Sequence, residues 1–371
     1  MKILKIVNSS DSGGVFTCEV QYLKQLKERG VQVDLIIIGS GDKLEIYKNS
    51  CHKYYCLPNM DVIFDGSIWN RIKSIISTYK YSKFQYASII EHLSSQYDAI
   101  IYRRENFMFL AGLIGIRLKI SCFWHMANSV GSPLSKWIYH FLCMMFRIIP
   151  IANSEYTKCS IGRICKFVVY PGYDYERISG GESVYRSGVK NEKGAVIFGM
   201  LSRIDKDKAI DIVIEAFVNS AGNNDNVFLL IAGGPLESEF ANKIKLMVAE
   251  RDNVRLIGPI SDVNNFYDSI DVMINGRTNP EPFGITIAES LAVGKPVIAY
   301  YKGGPEEMIV DGQNGWLVKE PTSEHYGVAI KRAYKERGNF LCNRDKMSED
   351  AKKFSVEVNV EKLIKIIFES N

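Results

Sequence analysis

The first strand-like run, Ile3 to Val7, is not followed by the glycine spacing G-x-G-x-x-G. That spacing lets a dinucleotide pyrophosphate approach the backbone, so its lack argues against a nicotinamide or flavin enzyme. The eight cysteines include no close pair of the zinc-binding type. Cys51 and Cys56 around His52 are too irregular for a ligand set, and reduced thiols in a cytosolic setting are expected. No apolar run reaches the roughly 20 residues needed to span a bilayer. The most apolar stretch, Trp137 to Ile151, is broken by His140, Arg147 and Pro150. It reads as a buried helix, with contact at a membrane surface as the alternative. The start, MKILKIVNSS, reads as no signal peptide, because Lys5 interrupts a very short apolar run. Low-complexity segments and short repeats are also missing.

What remains is a chain of 371 residues, long enough for two domains, since single cores stop growing near roughly 250–300 residues. A hydrophobic content of 46% and 24% charged residues suit a soluble α/β protein. The net charge of +4 conceals an asymmetry: residues 1–178 carry 22 Lys/Arg against 14 Asp/Glu, whereas residues 179–371 carry 24 against 28. A basic first half suggests an anionic partner. Much of its charge lies in an aromatic-rich segment with Trp69, Arg71, Lys73, Tyr79, Lys80, Tyr81, Lys83 and Phe84. The segment is either a solvated helix face or a surface for an anionic membrane or acidic acceptor. Nucleic acid is not expected as a partner.

Strand and helix patterns alternate along the chain. Ile3–Val7, a polar loop ending in Gly13-Gly14, a helix through about Arg29 and a strand Val33–Ile38 form a first βαβ unit. Gly13-Gly14 reads as a plain strand-to-helix turn or as an approach for a phosphate. Ala99–Tyr102 ends in Arg103-Arg104-Glu105, and Ile120–Trp124 ends in His125. Ligands of open α/β sheets bind beyond the carboxyl ends of strands, which makes Arg103 and Arg104 acceptor-side candidates and gives His125 a functional reading beside its structural one. Ser154 is suited to cap a helix. A Gly- and Ser-rich run from Tyr170 to Gly194 reads as the interdomain linker region. Strand and helix then alternate again from Ala195 to Val318, so the fold class is α/β with two doubly wound domains. The expected division is 1–178 and 179–355, with 356–371 as a final segment containing an amphipathic helix, whose Val360, Leu363, Ile364 and Ile367 share one face.

The densest chemistry lies in RTNPEPFGITIAESLAVGKPVIAYYKGGPEE, Arg277 to Glu307. Glu281 sits in a loop bracketed by Pro280 and Pro282. Gly284 frees the backbone before a helical pattern that includes Ile285 and Glu289, and Gly294 and Pro296 end it. Val297–Tyr300 reads as a buried strand and Gly303-Gly304 as a tight loop beyond it. Either glutamate alone is explained by the helix dipole. Together with a helix N-terminus and a bare-backbone loop they suit an anion and sugar hydroxyls. Upstream, Arg203 and Lys208 flank a strand-to-helix turn and suit a diphosphate. Asp205-Lys206-Asp207 has a metal-binding pattern, but its flanking cations already neutralise it.

With these residues placed, the chain resembles the GT-B glycosyltransferases, in particular the retaining family called group 1 or family 4. The resemblance rests on Glu281-Pro282-Phe283-Gly284-Ile285-Thr286-Ile287-Ala288-Glu289, on Gly294-Lys295-Pro296-Val297-Ile298-Ala299 and on Gly303-Gly304. It implies two facing Rossmann-like domains, with the final helix returning to the first. It implies that Glu281 binds donor-sugar hydroxyls, that Glu289 grips ribose, and that Arg203 and Lys208 hold the leaving diphosphate. Gly13, Gly14, Phe283, Gly284, Ile285, Gly303 and Gly304 become donor-binding, and His125 is placed near the donor sugar. Three positions depart from the usual pattern: Pro171-Gly172-Tyr173-Asp174 after the linker, Ala209 where glycine is usual, and Asn275-Gly276 for Pro-Ser. The implied activity is transfer from a nucleotide-diphosphate sugar, UDP favoured and GDP possible, to a glycan or lipid-linked glycan in surface-polysaccharide synthesis. Neither metal nor cofactor is expected. The implied location is cytoplasmic, with peripheral contact at the inner membrane face possible. A sugar-nucleotide epimerase, a phosphorylase with Lys-bound pyridoxal phosphate and a non-catalytic sugar-nucleotide-binding protein remain open alternatives.

Overall fold

β1 (Lys2–Asn8), β2 (Gln32–Ile38), β3 (Lys53–Leu57), β4 (Ala99–Tyr102), β5 (Ser121–His125), β6 (Ile148–Ala152) and β7 (Phe167–Val168) build a first parallel sheet. Its order is β3-β2-β1-β4-β5-β6-β7. β8 (Val196–Leu201), β9 (Val227–Ala232), β10 (Val254–Gly258), β11 (Val272–Asn275), β12 (Val297–Tyr300) and β13 (Gly315–Val318) build a second, ordered β10-β9-β8-β11-β12-β13. This computed structural model describes all residues except 61–67, 94–95, 188, 190–193, 223, 250, 342 and 371, and the side chains of 68–69, 71–72 and 339–341. The central strands read as near-continuous apolar runs because helices cover both faces of such sheets. In β9 every residue is buried.

The chain divides into two compact units: Met1–Pro171 with Val356–Asn371, and Gly172–Ser355. The boundary therefore falls before residue 178, because segment 172–178 is tied to the second unit. Tyr173 bridges to Ser355, its N–H donates to the Phe354 carbonyl at 3.2 Å, and Arg177 pairs with Glu289. The final helix, Val356–Ser370, buries Val356, Val360, Leu363, Ile366 and Ile367 in a cluster with Tyr22, Leu23 and Leu26 of the helix Gly13–Glu28. Ile366 joins this cluster, and Ile364 packs against it partly covered.

Two local expectations are met by their geometry. Ser154 accepts the Thr157 N–H at 3.0 Å and caps the helix Glu155–Ile161. Gly294 (φ +70°) ends the helix Ile285–Ala292, with the Lys295 N–H donating to the Ser290 carbonyl at 2.8 Å. The buried helix expected from Trp137 is a correction. The run splits into the end of the helix Pro133–Phe146 and most of β6. The helix buries Leu142, Cys143 and Phe146 but leaves Trp137 66% and Met144 73% exposed, because the layer beneath covers only one of its sides.

Both sheets reverse direction of growth once, between β1 and β4 and between β8 and β11. At such a switch point two successive loops leave the sheet in opposite directions and open a crevice beyond the strand ends.

Candidate active site

In the second unit, the switch point gathers the loop after β8 and the loop after β11. The first carries Arg203, Asp205, Asp207 and Lys208; the second carries Arg277 and Glu281. Lys208 Nζ lies 3.6 Å from Glu281 Oε2, and Arg277 Nε lies 3.4 Å from the same oxygen. Arg277 Nη1 also donates to Asp207 Oδ2 at 2.6 Å. Arg203, half exposed, lies 3.3 Å from Asp205. Three guanidinium or ammonium groups thus face three carboxylates, in contacts mostly longer than a tight ion pair. Burial, which Glu281 opposes and Arg277 reinforces, pushes the Lys208 pKa below its ordinary value. A ligand carrying negative charge would find these cations arranged and partly desolvated.

Gly303 and Gly304 serve this cluster as scaffold. The Gly304 N–H donates to the Glu281 carbonyl at 2.8 Å, and the Glu281 N–H donates to the Lys302 carbonyl at 3.2 Å. A Cβ on Gly303 would lie 2.1 Å from the Glu281 oxygen, and one on Gly304 would lie 2.0 Å from the Phe283 oxygen. Only bare backbone permits this approach. Gly276 performs the same service against the Lys208 carbonyl, 2.5 Å from where its Cβ would be. That gives the Asn275-Gly276 departure a physical reason.

Of the remaining expected residues in this unit, Gly284 (φ +97°) starts the helix Ile285–Ala292, and Ile285 is partly exposed at its first position. The Phe283 ring is buried, 6.1 Å from the Phe354 ring, so its side chain packs the unit. Glu289 is also more enclosed than a free ribose ligand. It is 1% exposed; Arg177 donates to one carboxylate oxygen and the Tyr267 hydroxyl donates to the other at 2.7 Å. Burial raises its pKa, against the pull of Arg177.

In the first unit, Gly13 and Gly14 are exposed at the start of the helix Gly13–Glu28, whose first turn has no acidic residue. His125, at the end of β5, is buried, and its Nε2–H donates to the Val169 carbonyl at 2.7 Å. Burial, and then the charge of Arg103, push its pKa well below the ordinary value, so the ring is neutral with Nδ1 unprotonated. Arg103 is a correction. It is buried against Glu19 at 2.5 Å, and Lys5 lies 2.5 Å from the same carboxylate, so no part of this trio is presented to an acceptor. Arg104 stays partly exposed and bonds Asp11 through Nε at 2.7 Å. It ties the loop after β4 to the loop after β1.

Arg277, Arg177 and Tyr267 are site residues that the sequence reading left without roles. Arg277 had a signal, its place four residues before Glu281. Arg177 and Tyr267 had none, because they reach Glu289 from distant parts of the chain. Among the described residues no cluster of three or more metal-binding side chains occurs, and Asp205 and Asp207 face arginines.

Residues 184–354, almost all of the second unit, match the family described as Glycosyl transferases group 1. Over 138 residues the chain is 29% identical to the lipopolysaccharide 1,2-N-acetylglucosaminetransferase of Salmonella typhimurium, covering 35% of this chain and 36% of that one. Over 271 residues it is 29% identical to the alpha-1,3/1,6-mannosyltransferase ALG2 of Saccharomyces cerevisiae, covering 58% and 54%. The matches thus span about a third to a half of these relatives' lengths. HepE of Anabaena, solved in complex with UDP and glucose, has the same fold, with a TM-score of 0.78, 20% identity and 100% of both chains covered. The fold is GT-B.

Proposed function

We propose that the protein is a retaining glycosyltransferase that moves a sugar from a nucleotide-diphosphate sugar to a hydroxyl of a glycan or lipid-linked glycan in surface-polysaccharide assembly. The convergence of Lys208 and Arg277 on Glu281 at the second switch point carries this reading. It is supported by the family of residues 184–354 and by the lipopolysaccharide transferase among the relatives. UDP is the favoured donor base, since HepE was solved with UDP and glucose.

In this reading the anomeric carbon passes through an oxocarbenium-like state while negative charge builds on the leaving diphosphate. Arg203 exchanges Asp205 for phosphate oxygens, and Lys208 leaves its long contact with Glu281 to do the same. Glu281, relieved of Lys208, accepts hydrogen bonds from donor-sugar hydroxyls. Arg277, held by Asp207, keeps the Glu281 loop in place. Arg177, a third exposed, yields its oxygen of Glu289 to the ribose hydroxyls, while Tyr267 keeps the other. His125, buried and bonded to the Val169 carbonyl, takes no proton. The departing phosphate accepts the acceptor's proton, so neither a metal nor a separate base is required.

Thermal-shift titration with UDP-, GDP- and ADP-sugars tests this, since a bound donor raises apparent stability by mass action. The expected result is stabilisation by one of them, followed by nucleoside-diphosphate release only with a glycan acceptor and undiminished by excess chelator. Consumption of donor without acceptor would mark an epimerase, and binding without any turnover a non-catalytic binder. Strict dependence on added Mg²⁺ or Mn²⁺ would overturn the metal-free step.

A further inference from the structure

Three helices lie near one another in the first unit: Ile68–Ile89, Met108–Leu118 and Pro133–Phe146. The Tyr79 ring meets Phe109 at 5.5 Å and Phe109 meets Phe146 at 5.9 Å, which ties all three together. None contains an Asp or Glu, and no carboxylate side chain occurs anywhere between Glu105 and Glu155. Their cations are exposed or half exposed: Lys73, Lys80, Lys83, Arg117 and Lys136, with Lys119 and Arg147 at the helix ends. The side chains of Trp69 and Arg71 lie outside the described residues.

The same helices expose large apolar side chains in a pattern. On Pro133–Phe146, Leu134, Trp137, Phe141, Met144 and Met145 recur at helical spacing and are all exposed, with Trp137 and Phe141 stacked at 6.1 Å. Leu142, Cys143 and Phe146 are buried on the inner side, so the helix is apolar nearly all round. Such a helix needs a second apolar environment on its outer side. On Ile68–Ile89, Ile76, Tyr79 and Phe84 are exposed among the lysines. A cavity of about 460 Å³ opens between these two helices, lined by Ile75, Phe109, Ile138, Tyr139 and Leu142, with Glu105 at its edge as the one carboxylate of the lining. Among the described residues no helix is long and apolar enough to cross a membrane.

We infer that this face docks on the surface of an anionic phospholipid bilayer, with the helix Pro133–Phe146 lying in the interface plane. Its Leu, Trp, Phe and Met side chains enter the acyl boundary, and the lysines meet the headgroups. The lack of Asp and Glu on all three helices selects an anionic surface. The Trp-Phe-Met stripe selects a bilayer over a soluble polyanion, which offers nothing apolar to cover it. The inference rests on the proposed transfer to a lipid-linked acceptor for its purpose, but not for its physics. It also moves the membrane contact from the lysine-rich helix alone to a face that includes the stripe.

Co-sedimentation of the full chain with phosphatidylcholine vesicles, with and without phosphatidylglycerol, tests it. Binding is expected only with phosphatidylglycerol and is weakened by salt. Neutralising Lys73, Lys80 and Lys83 to Gln should weaken partitioning by about 100-fold. Trp137→Ser with Phe141→Ser should weaken it as well, and brominated lipid should quench wild-type fluorescence more than that of Trp137→Phe. These side chains are exposed, so the variants should keep wild-type melting. Absence of vesicle binding overturns the inference. So does a wild-type dimer that the Trp137→Ser, Phe141→Ser pair makes monomeric, which would give the face to a second copy. A donor-induced thermal shift without vesicle binding leaves the transferase reading intact; vesicle binding without that shift does the reverse.

Discussion

The two switch points are built to one topological plan and use their charges in opposite ways. In the first unit, Glu19 is buried between Lys5 and Arg103 at 2.5 Å each, and Arg104 clamps Asp11. Burial works against the Glu19 charge, but the two cations outweigh it and hold its pKa below the ordinary carboxylate value. In the second unit, Lys208 and Arg277 stand 3.6 and 3.4 Å from Glu281, and Arg203 is half exposed. Tight, desolvated pairs fix loops; looser pairs at a crevice can be traded for a ligand. The difference separates a structural charge cluster from an exchangeable one, although both consist of Arg, Lys and carboxylates.

The largest effect that tests this contrast is on stability. Glu19→Gln leaves two buried cations facing a neutral amide and should cost about 3–5 kcal/mol in denaturant unfolding. A loss below about 1 kcal/mol would show the first cluster to be as exchangeable as the second. Next, Lys208→Ala and Glu281→Ala should each raise the barrier to transfer by about 2.7–4 kcal/mol while leaving the melting temperature near wild type. Full transfer in either variant, or a collapse of stability like that of Glu19→Gln, would erase the distinction.

A smaller effect concerns His125. Its folded pKa is depressed, so below about pH 6.5 the unfolded chain binds a proton that the folded chain refuses. Stability contributed by this group is therefore present above that pH and falls as pH drops towards the folded pKa, at up to about 1.4 kcal/mol per pH unit. In His125→Gln the slope of unfolding free energy between pH 5 and 6.5 should be shallower by about that amount. An unchanged slope would mean the ring is already charged when folded. The smallest effect is at Ala209, whose φ of +49° lies in the left-handed region although it carries a Cβ. Ala209→Gly should stabilise the protein by about 0.5–1 kcal/mol, the relief of strain less the added chain entropy of glycine. A loss of stability would show that burial of the Ala209 methyl outweighs its strain.

Much of this was legible in the chain itself because the signals are local. Strand and helix alternate with clear periods; Gly294 and Ser154 announce caps; Glu281, Gly303 and Gly304 lie close enough in sequence to be read as one loop system. Arg203 and Lys208 declared themselves by their place after a strand. Two strands left unread in the sequence, β3 and β7, lack such marks: Lys53–Leu57 is mostly exposed, and Phe167–Val168 is two residues long.

Tertiary structure decided what each charge is for. Nothing in the run Arg103-Arg104 says that the first guanidinium turns inward to Glu19 and the second outward to Asp11. Nothing near Glu289 says that Arg177 and Tyr267 will enclose it, since both come from elsewhere in the chain. The apolar stretch from Trp137 reads as one buried helix, and only the packed layers split it into a helix and a strand and left one side of that helix uncovered. Sequence determines period, caps and turn chemistry, which depend on neighbours a few residues away. Burial and charge pairing depend on neighbours in space, and the topology of the two sheets selects those.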